Sequence, residues 1–450
     1  MRYDGKSASV WRTKAIAGGR AILPTVSRRG NMTAFKAADI LLPKNTDMKK
    51  WAVVACDQYT SEPKYWSELE EFVGAAPSAL NLILPEVYLG SGNEQACIDT
   101  IHKNMKKYIT DGIFTEYGDA LIYLERTQND GKVRAGIVGC IDLEEYDYRV
   151  GSTSSVRATE ATVVERIPPR LKVRQGADIE LSHIMILIDD EGKSVIEPLE
   201  SKKQDFERVY DTDLSFKGGH ITGYLLDEES KGQVLSALDT LGDKEGFNKR
   251  YGLSDTPVLL YAMGDGNHSL ATAKAYYEEL KANNPEKDLS NHPARYALCE
   301  IVNLHSPALE FEAIHRIVTN TNTDALMEVL TKALSLSDEP AEQKITVVKN
   351  GGHSVKYIHT PLSKLAVGSL QTALDRLLPD IGGEVDYIHG AEVVDELSRQ
   401  ENAIGFILPD MGKNELFPTV IADGALPRKT FSMGHAWDKR YYMEARKITE

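Results

Sequence analysis

The chain has 450 residues, of which 42 % are hydrophobic and 26 % are charged, and its formal net charge is -15 at pH 7. This length and composition predict a soluble globular protein of two or three domains with a sizeable buried core. The acidic balance argues against sequence-independent binding of nucleic acid, which needs a basic surface. No apolar run approaches the roughly 20 residues of a membrane helix, so we expect no membrane partner.

The four cysteines are widely spaced and include no Cys-x-x-Cys pair. We therefore expect neither a structural zinc site nor a disulfide framework, and a reducing cytoplasmic compartment fits best. Cys56 follows an apolar run, but no histidine partner is evident from the sequence. A buried thiol is therefore preferred over a nucleophile at this position.

Residues 1–31 form a basic extension that carries seven Lys or Arg residues and one acidic residue. One interpretation is an organelle transit peptide, because such peptides bear Arg and Ser and are poor in acidic residues. The other is an artefactual or disordered arm in front of a true start at Met32. The second is favoured because no clear amphipathic helix emerges, and the extension is left out of the fold prediction.

Strands and helices mix along the rest of the chain, and several hairpins join neighbouring strands. This mixture predicts an α+β fold of mixed sheets, hairpins and packed helices. We expect a main domain over 32–320 and a C-terminal α+β part over 321–450 packed on it. The predicted elements, in chain order, are a strand and loop in WAVVACDQY, a helix in EPKYWSELEEFV, a hairpin between DALIYLERT and VRAGIVGCIDL, a strand in LSHIMILIDD, a helix in GQVLSALDTL, a strand at 258–261, a strand in ALCEIVNL, a helix at 324–336, a hairpin around Asn350-Gly351-Gly352, helices in LAVGSLQTALDRLL and GAEVVDELSRQ, and a strand in AIGFILP.

The stretch VLLYAMGDGNHSLATAKAYYEEL, residues 258–280, predicts a strand, a Gly-Asp-Gly turn and a helix. Gly264 and Gly266 permit positive φ and a close approach to the backbone. The first amides of such a helix lack intrahelical partners and its dipole end is positive, so it binds phosphate readily. Asp265 is then a candidate ligand for a divalent cation, and His268 a candidate donor to phosphate or carrier of a proton.

The same stretch allows a plainer interpretation, in which Asp265 or Asn267 caps the helix and nothing binds there. Gly-Asp-Gly by itself does not decide between a cap and an anion site. Ser269 belongs to the same helix start, and Lys274 lies two turns into the helix. If the site binds an anion, Lys274 is a candidate countercharge.

Other candidate residues lie outside this stretch, and each has a structural alternative. Glu160, in the cation-rich run VRATEATVVERIPPRLKVR, is either a general base on an anion-facing loop or part of a solvated charge run. Asp57 is either a catalytic carboxylate at a strand end or a turn former. A single His-Arg pair, such as His315-Arg316, more often has a structural role than a functional one. The run 428–442, RKTFSMGHAWDKRYY, either closes a pocket or packs as a strand and tail, and the second is favoured.

The segment GDGNHSLATAKAYY resembles the DGHHRYEAA segment of the domain-of-unknown-function family 1015. Further segments resemble the family in the same order, so that the similarity covers essentially residues 32–450. The chain is therefore identified as a member of a divergent branch of this family. These segments are RATEAT (157–162), ELSHIMILIDD, GGHITGYLLD, FEAIHRIV with His315 and Arg316, and LPRKTF (426–431).

The family's Asp-Gly-His-His-Arg segment resembles the phosphate-binding motif of the ParB–sulfiredoxin superfold. That group includes kinases that phosphorylate free serine with a nucleotide or possibly pyrophosphate as donor. The resemblance implies a strand–turn–helix phosphate site. The residues that it implies for binding ATP, ADP or pyrophosphate are Gly264, Gly266, Asn267, His268, Ser269, Lys274, Arg157, His315 and Arg316.

The resemblance also implies catalytic roles. Asp265 would hold Mg²⁺, His268 would stabilise the charge of the transition state, and Glu160 or Asp57 would act as base. An amino-acid acceptor would need a cation for its carboxylate, and Arg157 is the first candidate.

The chain departs from the family at the centre of the motif. Where the family has His-His-Arg, this chain has Asn267-His268-Ser269, so the arginine that would clamp phosphate bidentately is missing. Another cation has to take its place. The candidates are Arg157, Arg170, Arg174, Arg316, Lys274 and Lys429.

Three hypotheses follow for the function. The first is a phosphotransferase acting on a hydroxylated metabolite, with free L-serine as the first candidate acceptor and Mg²⁺ as cofactor. The second is a phosphohydrolase that uses the same pocket with water as acceptor. The third is a non-catalytic nucleotide-binding or regulatory protein. The expected partners are a small-molecule substrate and, as a further possibility, a second copy of the chain in a homo-oligomer.

Overall fold

A computed structural model describes residues 33–161 and 167–450 of the chain. The predicted basic extension, residues 1–31, lies outside these residues. Thr33–Glu450 cluster as one unit. The predicted division of this unit near residue 320 stays a prediction.

The strands of the described residues form four sheets. They are β1 (Phe35–Lys36), β2 (Ala38–Pro43), β3 (Val53–Val54), β4 (Phe114–Ala120), β5 (Ile122–Thr127), β6 (Val133–Asp142), β7 (Tyr146–Asp147), β8 (Val156–Arg157), β9 (Ile179–Leu181), β10 (Met185–Ile188), β11 (Glu207–Asp213), β12 (His220–Leu225), β13 (Tyr261–Asp265), β14 (Tyr296–Asn303), β15 (Phe311–Thr319), β16 (Leu336–Ser337), β17 (Gln343–Lys349), β18 (Gly352–Ile358), β19 (Glu384–His389), β20 (Ile404–Ile407), β21 (Phe431–Met433), β22 (Tyr441–Tyr442) and β23 (Ala445–Lys447).

The largest sheet has the order β11-β12-β5-β6-β14-β10-β13-β8-β7, with β1 paired to β6. It is mixed: β13 runs antiparallel to β10 and parallel to β8. The second sheet has the order β16-β18-β17-β20-β15-β19, and β21 also pairs with β15. Two smaller sheets, β4-β2-β23-β9 and β22-β3, include strands from both ends of the described chain.

Helices pack on these sheets, and α4 also packs along α7. The helices are α1 (Met48–Trp51), α2 (Pro63–Val73), α3 (Glu94–Thr110), α4 (Ile167–Arg174), α5 (Glu228–Leu241), α6 (Lys244–Tyr251), α7 (Asn267–Asn283), α8 (Thr323–Leu334), α9 (Ala366–Ile381), α10 (Ala391–Leu397) and α11 (Lys413–Asp423).

The predicted α+β class is confirmed. Mixed sheets, hairpins and packed helices are all present, and the two predicted hairpins pair as β5 with β6 and as β17 with β18. The helix predicted at the end of the stretch 258–280 is present as α7, and its Leu270, Ala273 and Tyr277 are buried. Among the described residues, none of the helices combines the length and apolar character that a bilayer crossing requires.

The strand predicted at 258–261 is shifted in the structure. The observed strand, β13, begins at Tyr261 and continues through Gly264 to Asp265, so Gly-Asp is part of the strand and the turn is made by Gly266. Pairing with β10 extends the strand, since Asp265 lies opposite Met185. At Gly264 a Cβ would lie 3.0 Å from Leu187 and 3.1 Å from Met433, so a residue without a side chain fits this close packing.

Three buried arginines hold the C-terminal segment 437–440 against the largest sheet. Arg126 donates to the carbonyls of Trp437 and Lys439, each at 2.5 Å, and Arg134 donates to the carbonyl of Asp438 at 3.0 Å. Arg440, 3 % exposed, lies at the centre of this arrangement. Its guanidinium donates to two buried carboxylates and to one carbonyl, namely Glu300 (2.9 Å), Glu444 (2.6 Å) and Ser182.

We expect Arg440→Met to lower the free energy of unfolding by about 3–5 kcal/mol, because it removes the cation of the buried Glu444 and one of the two cations that contact the buried Glu300. Urea denaturation measures this loss. The control is Lys447→Met, which removes a half-exposed ion pair with Glu116 and should change stability little. Equal losses for the two variants would contradict the prediction.

Candidate active site

The amino end of α7 is formed by one glycine. Gly266 is the N-cap residue and has φ +79°, in the left-handed region that favours glycine. A Cβ on Gly266 would lie 3.1 Å from the Cα of Ile184, so the neighbouring backbone also requires a residue without a side chain. The chain therefore leaves β13 and enters α7 within a single residue. This geometry turns the amino end of α7 toward a cleft.

Gly266, the N-cap residue, makes no side-chain cap hydrogen bond. Asp265 Oδ1 instead accepts from the amide of Gly266 at 2.9 Å, and its Oδ2 lies 3.4 Å from Lys439 Nζ. Asn267 Oδ1 is buried with no hydrogen-bond partner. Asp265 thus satisfies the amide of Gly266, and the capping and anion-site interpretations both stay predictions.

The cleft in front of α7, called the active-site cleft below, has a volume of about 1050 Å³. Most of the predicted site residues line it together, although they are spread over more than 200 positions of the sequence. They are Asp57, Glu160, Gly264, Asp265, Gly266, Asn267, His268 and Ser269. Cations and histidines from other segments complete the wall, namely Arg170, His389, Lys429, His435 and Lys439.

Glu160 is held in this wall by the C-terminal part of the chain. It forms an isolated bridge with Leu426, and its Oε1 accepts from the amide of Lys429 at 3.1 Å. Burial raises the pKa of the Glu160 carboxyl above its ordinary value, against the opposing effect of the Lys429 charge. A carboxyl with a raised pKa is better suited to accept a proton near neutral pH.

Asp57 lies beside a histidine that the sequence analysis did not single out. His183 Nε2 is 3.7 Å from Asp57 Oδ2 and 3.3 Å from Ser269 Oγ, while His183 Nδ1 pairs with the Tyr442 hydroxyl at 2.7 Å. Burial opposes ionisation of Asp57, but its neighbours lower the pKa of its carboxyl, and these are His183, Gln58, Lys439 and Arg170. The only sequence signal for His183 was its position in ELSHIMILIDD, one of the family-like segments.

Two predicted binding residues, Arg157 and Lys274, make their contacts with residues that do not line the cleft. The Arg157 guanidinium is buried and donates to three carbonyls, those of Ser154, Pro257 and Val258. Lys274 Nζ donates to the carbonyl of Leu143 at 2.8 Å and pairs with Glu278 at 2.8 Å. Neither residue belongs to the lining of the active-site cleft.

The predicted pair His315 and Arg316 is also outside the cleft lining. His315 Nδ1 accepts from the amide of Leu408 at 3.2 Å, and burial lowers the pKa of its imidazole. Arg316 is fully buried, donates to Gln371 at 2.8 Å and donates to the carbonyl of Lys429 at 3.0 Å. Arg316 therefore supports the segment that presents Lys429 to the cleft.

Three cations that line the cleft are candidates to replace the missing arginine of the motif. Arg170, Lys429 and Lys439 line it, and Arg170 pairs with Glu86 in the same wall. Lys429 and Lys439 belong to the run 428–442, for which packing was favoured over closing the pocket. In the structure this run packs and also lines the cleft. Its strands β21 and β22 pair with other strands. Its Lys429, His435 and Lys439 line the cleft.

A metal ion would have few protein ligands here. Within the described residues, no group of three or more His, Cys, Asp or Glu side chains is arranged to hold a metal ion. Mg²⁺ is commonly bound by one or two carboxylates together with substrate phosphates and water. Asp265, whose Oδ2 makes no hydrogen bond, fits that mode of binding.

Cys56 is not suited to be a nucleophile. Burial raises the pKa of its thiol to about 12, which keeps the sulfur protonated at neutral pH. Its backbone amide donates to the Tyr442 hydroxyl at 3.3 Å. The thiol is therefore a packed side chain, as expected from the sequence.

The model of the family described as "Protein of unknown function (DUF1015)" matches residues 35–377. The chain belongs to this family. The match covers the strand β13, the turn at Gly266 and helix α7, and it stops before the C-terminal run that supplies Lys429 and Lys439. No curated protein matches the chain.

Several solved structures resemble this DUF1015 protein at low identity. A free serine kinase in complex with AMP has 11 % identity, covers 69 % of this chain and 91 % of its own, and has a TM-score of 0.37. A variant of free serine kinase in complex with ADP has 11 % identity, coverages of 71 % and 93 %, and a TM-score of 0.37. A conserved hypothetical protein from Pyrococcus furiosus has 12 % identity, coverages of 69 % and 95 %, and a TM-score of 0.34.

We expect Glu160→Gln to raise the free energy of unfolding at pH 7 and to leave it nearly unchanged at pH 4. Below the ordinary pKa of 4.5, Glu160 is protonated in both the folded and the unfolded chain. As the pH rises above that value, the unfolded chain ionises first, so the native protein loses stability that the glutamine variant keeps. The gain levels off once the pH exceeds the raised pKa of the folded state.

Urea denaturation from pH 4 to pH 8 measures this difference. The control is Glu401→Gln, an exposed position, which should show no such dependence on pH. A gain for Glu160→Gln that falls as the pH rises would be inconsistent with a pKa raised by burial.

Proposed function

We propose that this protein is a phosphotransferase that moves a phosphoryl group from a nucleotide or pyrophosphate to a small hydroxylated metabolite. Free L-serine is the first candidate acceptor, as the family resemblance implies. The observation that carries the proposal is the amino end of α7. Its N-cap residue makes no side-chain cap hydrogen bond, and it opens on a cleft lined by both carboxylates and cations.

The donor phosphates would bind at this amino end. Helix amides that lack partners and the positive end of the helix dipole attract phosphate oxygens. Lys429, Lys439 and Arg170 line the same cleft and add positive charge to it. These cations replace the charge of the motif arginine, although a lysine does not reproduce its bidentate geometry.

Asp265 would hold Mg²⁺ together with the donor phosphates. When bound, the ion neutralises charge on the phosphates during transfer. Lys439 Nζ, 3.4 Å from Asp265 Oδ2, would then be displaced toward the phosphate oxygens, which attract it for the same reason. His268, at the start of α7, would stabilise charge on the transferred group.

Two carboxylates compete for the role of base, and their pKa values favour one of them. The pKa of Glu160 is raised by burial, whereas that of Asp57 is lowered by its neighbours. A base is most effective when its pKa lies near the working pH. Glu160 would therefore accept the proton of the acceptor hydroxyl, and Asp57 would orient His183 and contribute negative charge.

The test is phosphoryl transfer followed by phosphorus NMR. The full chain is mixed with Mg²⁺, L-serine and either ATP, ADP or pyrophosphate. We expect a phosphoserine signal, and we expect Asp265→Asn and Glu160→Gln each to reduce its rate by about 10²- to 10⁴-fold. The control is Asp205→Asn, an exposed carboxylate outside the cleft, which should leave the rate unchanged.

The other outcomes distinguish the alternatives. Inorganic phosphate formed at the same rate with and without acceptor would support a phosphohydrolase instead. Binding of the donor without any product would support a nucleotide-binding protein and overturn the proposal. A phosphoserine signal that persists in Asp265→Asn would show that the helix start of α7 is not the site of transfer.

A further inference from the structure

One cation in the wall of the active-site cleft differs from the other two. Arg170 pairs with Glu86, and Lys439 Nζ lies 3.4 Å from Asp265 Oδ2. Lys429 also lines the cleft and is exposed. Among the described residues, none forms a hydrogen bond or an ion pair with the Lys429 ammonium group. This accessible charge is therefore available to an anionic ligand in the cleft.

The backbone of Lys429 is held in an unusual conformation. Its φ is +58°, in the left-handed region that is unfavourable for a residue with a side chain. Two contacts fix it there. Its amide donates to Glu160 Oε1 at 3.1 Å, and its carbonyl accepts from the buried Arg316 at 3.0 Å. Strained residues that their surroundings hold in this way cluster at ligand-binding sites, and here neither contact uses the ammonium group.

The charge of Lys429 acts on two groups that line the same cleft. It favours the ionised form of Glu160 and opposes protonation of His389. Partial burial and, next, the charge of Lys429 lower the pKa of the His389 imidazole, so the ring is neutral near pH 7 and keeps one N–H donor. His389 is exposed, and its ring makes no hydrogen bond or ion pair with another described residue. Lys429 and His389 thus offer a cation and a neutral donor in the same part of the cleft.

The contact between Lys429 and Glu160 indicates which substrate this cation meets. If Glu160 is the base, the acceptor hydroxyl lies within hydrogen-bond reach of its carboxylate. Because the amide of Lys429 binds that same carboxylate, the lysine side chain can reach the other end of a small acceptor. The donor phosphates would bind at the start of α7, where Lys439 already lies beside Asp265. Lys429 is therefore placed for the acceptor.

We propose that Lys429 binds the carboxylate of the acceptor, a short hydroxy acid or hydroxy amino acid, and that His389 donates a second hydrogen bond to it. This inference rests on the proposed function and identifies the acceptor class. A neutral alcohol of the same size would leave the Lys429 charge without a partner. Lys429 thus takes the role that the sequence analysis assigned to Arg157.

The test compares two acids with their decarboxylated analogues by isothermal titration calorimetry on the full chain. The pairs are L-serine with ethanolamine and D-glycerate with ethylene glycol. Glu312 and Glu392 also line the cleft, so one of the two acids carries an ammonium group and the other does not. We expect the native protein to bind at least one acid more tightly than its analogue.

We expect Lys429→Asn to weaken binding of that acid by roughly 10- to 100-fold, because a charge-assisted hydrogen bond is lost, and to leave binding of the analogue unchanged. Asparagine adopts the left-handed conformation more readily than most residues, so this variant keeps the backbone contact with Glu160. Lys429→Arg keeps the charge and should keep the preference for the acid. His389→Ala should weaken acid binding by roughly 2- to 10-fold, because it removes a neutral hydrogen bond.

The matched control is Lys193→Asn. Lys193 is also an exposed lysine with a left-handed backbone, at φ +53°, and it lies outside the cleft lining. This variant should bind both acids as the native protein does. Thermal unfolding of every variant shows whether it is folded.

The outcomes separate this inference from the proposed function. A preference for the acid that Lys429→Asn leaves intact would overturn the inference, as would a native protein that binds neither acid more tightly than its analogue. Phosphoryl transfer in which Lys429→Asn raises the donor KM but not the acceptor KM would assign Lys429 to the donor, which overturns the inference and leaves the phosphotransferase intact. Acid binding that depends on Lys429, without transfer from any donor, would support the carboxylate site and remove the phosphotransferase.

Discussion

The candidate site depends on the ionic contacts of Arg440. This buried guanidinium joins Glu300 of strand β14 to Glu444 near the C-terminus, and it also binds the carbonyl of Ser182. The contacts fix the C-terminal segment at the centre of the largest sheet. Residues close to Arg440 then contact the candidate site: Lys439 lies against Asp265, and Tyr442 binds His183.

The cleft places two carboxylates in environments that move their pKa values in opposite directions. Burial dominates at Glu160, whereas at Asp57 the nearby cations and the histidine outweigh burial. Such a separation assigns different tasks to chemically similar groups. The Glu160 carboxyl is therefore protonated more readily than an ordinary glutamate, and the Asp57 carboxyl less readily than an ordinary aspartate. The cations Lys429 and Lys439 line the same cleft, and Lys439 lies 3.4 Å from Asp265 next to the start of α7.

The buried arginines show which information the sequence does not contain, namely the partners of each charged side chain. Arg157, Arg174 and Arg316 are equivalent in a list of cations, but burial gives each a different set of partners. Arg157 and Arg316 satisfy backbone carbonyls, because a buried guanidinium takes whichever acceptors the surrounding loops offer. Arg174 keeps two donors without partners, and this difference arises from contacts between α4, β9 and α7. No local pattern in the sequence encodes it.

Local patterns alone determined the α+β class, most helices and hairpins, and the glycine-dependent start of α7, because apolar spacing and the φ requirement of Gly266 act over a few residues. The ordered motifs likewise determined the family. Tertiary structure decided which distant residues lie near the start of that helix. His183, which binds Tyr442, contacts Ser269, and Lys429 and Lys439, next to the paired strands β21 and β22, line the cleft. It also decided where β13 begins, since pairing with β10 extends that strand to Asp265. Contacts between residues far apart in the chain depend on burial and pairing across the whole fold, and these leave no periodic signal in the sequence.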